Sequence, residues 1–387
     1  MSDTQAADDT VAAVFTREPV ARLGRDLKQA AALLTKDEAK YFVQKYYSIQ
    51  GDRIACGNQI SALERDAKAE GRPAEPHGIL QWMHDQHATL EGQVKGALDS
   101  YSAAHPVGGY LRTQKGIGPV LASALLAHLE LRETVGSWWR LAGVDPTSRW
   151  HGTERAREMV ADVLGPAGDV TQEAVAALAA RAGVRVETLL GAVDEGETLT
   201  RTVLVKALAR RPWNAELKKT LFLIGESFVK VSGSEDAFYA RLYKLRKAYE
   251  TGKNERGEYR DQVAARLAER APGRDTDARA ALEAGRLPLA QIHMRAKRYA
   301  VKMLLSGMHT VWYWQEHGRL PAVPWAIGVG GGMAAARGLQ GRHTTVMAPA
   351  HADTVPGLAE ACRAAGYLSG ETALAHVAEY WGVTPAA

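Results

Sequence analysis

The sequence predicts an all-α fold, and three observations lead to that prediction. Apolar residues recur at spacings of three and four over long stretches, as they do on one face of a helix. Strand-like alternation is scarce throughout the chain. Glycine, proline and N-capping residues separate the apolar stretches, which marks where helices start and stop. At 387 residues, the chain is long enough for two or three domains with a sizeable core.

Residues 1–34 are predicted to be a flexible tail, and residues 35–104 a helical hairpin. Thr35 is a good N-cap, and Glu38, three residues further on, completes a capping box. The apolar seam that follows has alternating spacings of four and three and one polar break, at Arg53. Its members are Phe42, Tyr46, Ile49, Arg53, Cys56, Ile60 and Leu63.

The second helix of the hairpin is predicted to follow the breaking stretch "EGRPAEPHG". One face of it is apolar, with a histidine in the middle that we expect to pack and not to bind a ligand. The members of this face are Ile79, Met83, His87, Leu90, Val94 and Leu98. Two such helices joined by a short turn predict an antiparallel coiled-coil hairpin, which serves as a scaffold or as an interface for self-association.

The stretch "YLRTQKGIGPVLASALLAHLEL", from Tyr110 to Leu131, places a Gly-Ile-Gly turn between two predicted helices. Gly116 and Gly118 permit backbone angles that other residues resist. Ile117, between them, can point inward and fix the turn.

The helix after this turn is predicted to bind an anion. It begins at Pro119, a favoured first helical position, so its unbonded N–H groups point into the turn. Those donors and the helix dipole both favour a phosphate. Arg112 and Lys115 are close enough in the sequence to add positive charge.

Positive charge is concentrated in residues 201–300, which hold 22 Lys and Arg against 12 Asp and Glu, although the net charge of the whole chain is only +4. That concentration favours a polyanion partner, most simply nucleic acid. The candidate contacts are Arg210, Arg211, Lys218, Lys219, Arg295, Lys297 and Arg298. Tyrosines between basic residues at 239–259 suit either base stacking with a single strand or an amphipathic helix that buries them.

The Gly-Ile-Gly stretch, read as "KGIGPVLASALL", resembles the helix-hairpin-helix motif, a sequence-independent binder of the nucleic-acid backbone. Such a motif has a Gly-hydrophobic-Gly turn followed by a helix with a small residue a few positions on. The resemblance implies contacts with DNA or RNA that position the protein without reading base sequence.

Two later stretches, "LAGVDP" from Leu141 to Pro146 and "ARRPWNAELKKTLFLIGESF" from Ala209 to Phe228, resemble parts of the C-terminal domain of an insertion-sequence transposase family. Its members join a RuvC-like nuclease domain to a C-terminal helix-hairpin-helix domain, and some are guided by a bridge RNA. The helix ending in "LAGVDP" is similar to one family motif, and "ARRPWNAELKKTLFLIGESF" to the family's basic helix. The residues that carry this likeness are Leu141, Ala142, Gly143, Pro146, Arg210, Arg211, Asn214, Leu217 and Lys218.

Two departures from that family bear on catalysis. Residues 1–110 predict a coiled coil where the family has a strand with a metal-binding aspartate, so the clustered carboxylates that would hold Mg²⁺ are missing. Alanine and leucine precede Arg210, near the place of the family's serine nucleophile. Ser148 in "DPTSRWHG" is the remaining catalytic candidate, with basic residues nearby to hold a phosphate, although a turn or capping serine is the commoner role.

These observations favour a transposase-like DNA-binding protein without a nuclease domain of its own. Two alternatives stay open: an active transposase or recombinase that uses Ser148 or a partner's carboxylates, and a non-enzymatic phage or plasmid interaction protein. No cofactor or metal site is expected. Mg²⁺ would be required only if the protein is catalytic. The expected partners are DNA or RNA and further copies of the chain, which associate through the hairpin.

The predicted organisation has six parts. They are the tail (1–34), the coiled-coil hairpin (35–104), the helix-hairpin-helix region (105–165), a helical insertion with a helix-turn-helix-like pattern (166–200), a basic helical domain (201–320), and a Gly-rich linker with a small C-terminal appendage (321–387). No apolar run is long enough to span a membrane, and the N-terminus is acidic and polar, so the cytoplasm is the expected location.

Overall fold

The computed structural model describes residues 20–72, 78–145, 150–165, 169–270, 273, 276–323 and 346–384. Their regular structure is helical, apart from one isolated bridge between Met347 and Leu368, and this confirms the predicted all-α class. The helices are α1 (Arg25–Ala30), α2 (Lys36–Ala69), α3 (Gly78–Ala104), α4 (Gly108–Thr113), α5 (Pro119–His128), α6 (Val135–Leu141), α7 (Gly152–Leu164), α8 (Gln172–Ala182), α9 (Val186–Leu190), α10 (Arg201–Ala209), α11 (Ala215–Lys230), α12 (Phe238–Glu255), α13 (Arg260–Arg270), α14 (Asp277–Glu283), α15 (Leu289–His317), α16 (Leu358–Ala364) and α17 (Gly370–Trp381).

The start of α2 is fixed by the capping box that the sequence predicts. The Thr35 hydroxyl accepts a hydrogen bond from the Glu38 N–H at 3.3 Å, and a Glu38 carboxylate oxygen accepts from the Thr35 N–H at 2.8 Å. Two backbone donors that the helix cannot satisfy are therefore satisfied locally.

Helices α2 and α3 pack side by side and run in opposite directions. Gln50 and Arg53 both bind Glu91, and Gly57, one helical turn further along α2, faces His84, earlier in α3. Arg53, the polar break of the predicted seam, is thus neutralised by a carboxylate on the facing helix. Burial raises the pKa of Glu91, but hydrogen bonds from Arg53, Gln50 and Tyr46 outweigh it and leave that pKa below its ordinary value.

The described part of the predicted tail, from residue 20, is ordered structure that contacts the hairpin. It contains α1 and a short 3-10 turn at Ala31–Leu33, and both contact α3. The Leu23 N–H donates to the Gln93 side chain at 2.6 Å. The prediction of a flexible tail is therefore wrong for this part, because the segment packs on α3. That contact joins residues far apart in the sequence, so the composition of the tail could not indicate it.

The described residues form two compact units, with those within 132–222 in one and those before and after that range in the other. These boundaries differ from those predicted at 105, 166 and 201. In the unit of residues 132–222, α8 and α9 share one apolar core with α7 and α10. The segment predicted as an insertion at 166–200 is thus an integral part of that core.

In the other unit, α12 packs along α15, and the C-terminal α17 packs on α12. Trp381 at the end of α17 stacks on Tyr249, with ring centroids 5.2 Å apart, and the Arg246 guanidinium lies 5.2 Å from the same Trp381 ring. The predicted appendage is therefore joined to the basic helical region by aromatic contacts. The Gly-rich stretch before it, residues 324–345, lies outside the described residues.

Candidate functional site

The Gly-Ile-Gly turn between α4 and α5 is held from behind by α11. Gly116 has a φ of +93°, which strains any residue with a side chain. Its carbonyl oxygen accepts a hydrogen bond from the Ser227 hydroxyl at 2.6 Å, and a Cβ at this glycine would lie 3.3 Å from Val231. Ile117 is buried, as the sequence predicts. The first glycine and the isoleucine thus fix the turn to the rest of the protein.

The front of the same turn is open. Gly118 is exposed, has an ordinary extended conformation with φ −88°, and has no atom within 4 Å of the place where its Cβ would be. It is the N-cap of α5, and no side chain caps this helix start. The Ala122 N–H donates to the Gly118 carbonyl at 3.0 Å, so the amides of Gly118, Val120 and Leu121 precede the first helical hydrogen bond. Such an exposed helix start can accept an anion.

The two cations predicted beside this turn are exposed, and each is paired with a carboxylate. Arg112 binds Asp99 at 2.6 Å, and Lys115 binds Asp236 at 3.1 Å. Hydrogen bonds from Ser234 and from Lys115 lower the pKa of Asp236, so this carboxylate stays charged at neutral pH. Both cations therefore lie at the turn, but neither is without a counter-charge.

In the unit of residues 132–222, the loop before α11 is anchored on the end of α6. The Asn214 N–H donates to the Leu141 carbonyl at 2.8 Å, and the Asn214 side chain accepts from the Leu217 N–H at 2.9 Å. Trp213 packs on Gly143, whose φ is +63° and where a Cβ would lie 2.7 Å from the indole. The structure thus brings together the two stretches that carry the transposase resemblance.

The four cations of this loop and the first turn of α11 have different surroundings. Arg210 lies 3.8 Å from Asp194 and donates to the Ala192 carbonyl at 3.3 Å. The Arg211 guanidinium lies 4.5 Å from the centre of the Trp150 ring. The remaining two follow in α11, where the Lys218 ammonium lies 3.6 Å from the centre of the Trp213 ring and Lys219 is exposed.

The cations predicted on α15 require a correction. Lys297 is only 5% exposed and binds Glu226, so it does not reach solvent. Arg295 stacks on Tyr259, with its guanidinium 4.6 Å from the ring centre, and binds Glu250 at 3.4 Å. Only the third predicted cation there, Arg298, is exposed.

The tyrosines of residues 239–259 are largely internal. Tyr239, Tyr243 and Tyr259 are buried, and the Tyr239 hydroxyl lies 3.1 Å from that of Tyr110. Burial raises the pKa of Tyr239 to about 12, so it stays protonated. Of the two sequence interpretations, the structure favours the amphipathic helix that buries its tyrosines.

The catalytic candidate of the sequence falls outside the part of the chain that the structure describes. Ser148 lies in residues 146–149, outside the described residues. Among the described residues, no three or more His, Cys, Asp or Glu side chains are grouped so that they could hold a metal ion. The same residues contain no helix with the length and apolar character that crossing a bilayer requires.

Sequence reasoning missed Trp150. It follows Arg149 as one aromatic residue among nine tryptophans in the chain, and nothing local distinguishes it. Its contact with Arg211 joins residues that are far apart in the sequence. The only local signal was its place in the basic stretch that follows "LAGVDP".

Comparisons of the chain with protein-family models, with curated proteins and with solved structures gave no match.

Proposed function

We propose that this protein is a transposase-like DNA-binding protein that holds the nucleic-acid backbone at the turn between α4 and α5. The observation that carries the proposal is the start of α5 at the exposed Gly118, where no side chain caps the amides that precede the first helical hydrogen bond, while Gly116 is fixed from behind. A phosphate oxygen accepts such amides without reference to base sequence. The proposal includes binding and no strand cleavage, and it assigns the protein to the cytoplasm.

The ion pairs at the turn are compatible with this role. Lys115 and Asp236 form an exposed pair, and water screens such pairs, so exchanging the carboxylate for a phosphate costs little. Arg112 can make the same exchange from Asp99. The carboxylates hold the two cations near the turn until DNA arrives.

The basic loop before α11 adds a second set of backbone contacts. Arg210, Arg211, Lys218 and Lys219 supply four positive charges, against Glu216 and against Asp194, which lies 3.8 Å from Arg210. Of the cations expected on α15, only Arg298 is retained in the proposal, because Arg295 and Lys297 are already bound internally. Binding that neutralises several phosphates weakens steeply as salt rises.

The relation to insertion-sequence transposases rests on the two stretches that carry the resemblance. Their direct contact, from Asn214 to Leu141 and from Trp213 to Gly143, is what a shared domain would require. This supports the proposed kinship of the region, and it implies nothing about a nuclease domain.

Self-association is proposed through the hairpin of α2 and α3. Large apolar side chains stay exposed on α3, namely Ile79, Trp82 and Met83. A second copy that covers them would remove apolar surface from water.

The test uses two substitutions at Gly118. Gly118→Asp adds a good N-cap, which should stabilise the protein by a few tenths of a kcal/mol, while its carboxylate occupies the open amides and repels phosphate. We expect affinity for a labelled duplex of arbitrary sequence to fall about tenfold or more, a loss of at least about 1.4 kcal/mol.

The matched control is Gly118→Ala, which adds a methyl group in open space and leaves the amides free. It should bind the duplex almost as the wild type does. Equal affinities for Gly118→Asp and wild type would show that the turn does not hold DNA. No wild-type binding at about 50 mM salt would remove the proposed function altogether.

A further inference from the structure

Trp150, just ahead of α7, is a large aromatic side chain that the fold leaves exposed. Its accessible fraction is 48%, although it is held in place. The indole N–H donates to the Ala209 carbonyl at the end of α10, at 2.8 Å. The polar group of the ring is therefore satisfied by the protein, and what remains exposed is apolar aromatic surface.

Arg211 lies against this ring without a carboxylate of its own. Its guanidinium is 4.5 Å from the ring centre, and among the described residues it has no acidic partner. The ring attracts and orients the cation, but its charge is not neutralised. The guanidinium therefore covers part of one face of the ring, and its positive charge lies within a few ångströms of the aromatic surface that stays exposed.

The backbone that carries Arg211 is braced on its C-terminal side. Trp213 lies between Gly143 and the Lys218 ammonium, and Asn214 is bonded both to Leu141 and into the first turn of α11. On the other side, the Ala209 carbonyl is held by Trp150 itself. Binding at this surface therefore requires little ordering of the loop, which favours affinity.

From this arrangement we propose that Trp150 and Arg211 form a binding surface for an unpaired nucleobase of a single-stranded nucleic acid. The base stacks on the indole ring, and the adjoining phosphate binds the guanidinium. Stacking of this kind accepts any base, because every base has a π-face. The inference rests on the proposed function, in that it takes nucleic acid to be the ligand, and it adds unpaired strands to the substrates.

The experiment compares two probes that carry the same phosphates. One is labelled oligothymidine, and the other is an abasic oligomer of equal length. Wild-type protein should bind oligothymidine at least about fivefold more tightly than the abasic probe. An oligouridine arm distinguishes RNA from DNA as the source of the unpaired base.

Trp150→Leu should lower the affinity for oligothymidine to that of the abasic probe and leave abasic binding unchanged. Trp150→Phe keeps an aromatic face and should keep part of the preference, which guards against misfolding of the leucine variant. Arg211→Gln should weaken binding of both probes, because it removes a phosphate contact. The inference would be overturned if the wild-type protein bound both probes equally. It would also be overturned if Trp150→Leu kept the preference for oligothymidine. Trp150 would then serve only to bind the Ala209 carbonyl at the end of α10.

The duplex assay with Gly118→Asp separates this outcome from the proposed function. Duplex binding that depends on Gly118 without any preference for bases would overturn the inference alone. A preference for oligothymidine without duplex binding would overturn the backbone-binding function and keep the single-strand surface.

Discussion

The two basic regions of the molecule, the loop before α11 and the α15 helix, look alike in sequence but differ in the groups that face their cations. On α15, Lys297 and Arg295 face carboxylates on other helices, so their charge is neutralised inside the protein. In the loop, Arg211 and Lys218 lie over indole rings, and the ring beside Arg211 orients that cation without cancelling its charge. We therefore expect the loop, where Arg211 keeps its charge, to contribute more to nucleic-acid binding than α15, where carboxylates neutralise Lys297 and Arg295.

The largest effect is expected from removing the buried carboxylate of the α12–α15 region. Glu250 is 1% exposed and accepts hydrogen bonds from Arg246, Arg295 and Tyr259. Glu250→Gln leaves two cations without their counter-charge and should lower the free energy of unfolding by about 3 kcal/mol in urea titrations. Glu216→Gln, the matched change in the exposed basic region, should change it by less than about 0.5 kcal/mol.

The control for this prediction is how the stability difference between wild type and Glu250→Gln varies with pH. Burial raises the pKa of Glu250, but the charges of Arg246 and Arg295 and the donated hydrogen bonds outweigh it, so the folded-state pKa is lowered from 4.5. Its stabilisation is therefore complete above the ordinary glutamate pKa and is lost as pH falls through the lowered value. The wild-type advantage over Glu250→Gln should be constant near neutral pH and shrink in acid. An advantage that grows in acid would contradict the internal neutralisation.

The same contrast between packed and open positions applies to the two glycines of the turn. Gly116→Ala forces a side chain to φ +93° against Ser227 and should cost about 2 kcal/mol in thermal or urea unfolding. Gly118→Ala should cost less than about 0.5 kcal/mol. Equal losses at the two positions would mean that the turn is not held from behind as described.

The smallest expected effects come from single cations in the two regions. One substitution should change only the stability, and the other should change mainly the DNA binding. Lys297→Met should lower the free energy of unfolding by about 1 kcal/mol, through loss of the Glu226 contact, and leave duplex affinity unchanged. Arg211→Met should have the opposite effect: the free energy of unfolding should change by about 0.5 kcal/mol or less, and the salt slope of duplex binding should fall by about 1. Loss of duplex affinity in Lys297→Met would show that internal cations also contribute to binding.

Local features of the fold were predictable from the sequence because their causes are local. The capping box at Thr35 and Glu38 and the break at the Gly-Ile-Gly turn each depend on a few neighbouring residues. Whether a cation is neutralised or stays exposed depends on residues far away in the sequence. Lys297 meets a carboxylate 71 residues away, and Trp150 bonds a carbonyl 59 residues away, so composition could not tell the neutralised cations from the exposed ones.

The most direct test of the backbone-binding turn is amide hydrogen exchange at the start of α5, with and without duplex DNA. The amides of Gly118, Val120 and Leu121 precede the first helical hydrogen bond, so they should exchange rapidly in the free protein. Bound phosphate should slow their exchange in the wild type and in Gly118→Ala, but not in Gly118→Asp. Exchange at this helix start that is unchanged while the protein is saturated with DNA would contradict the account.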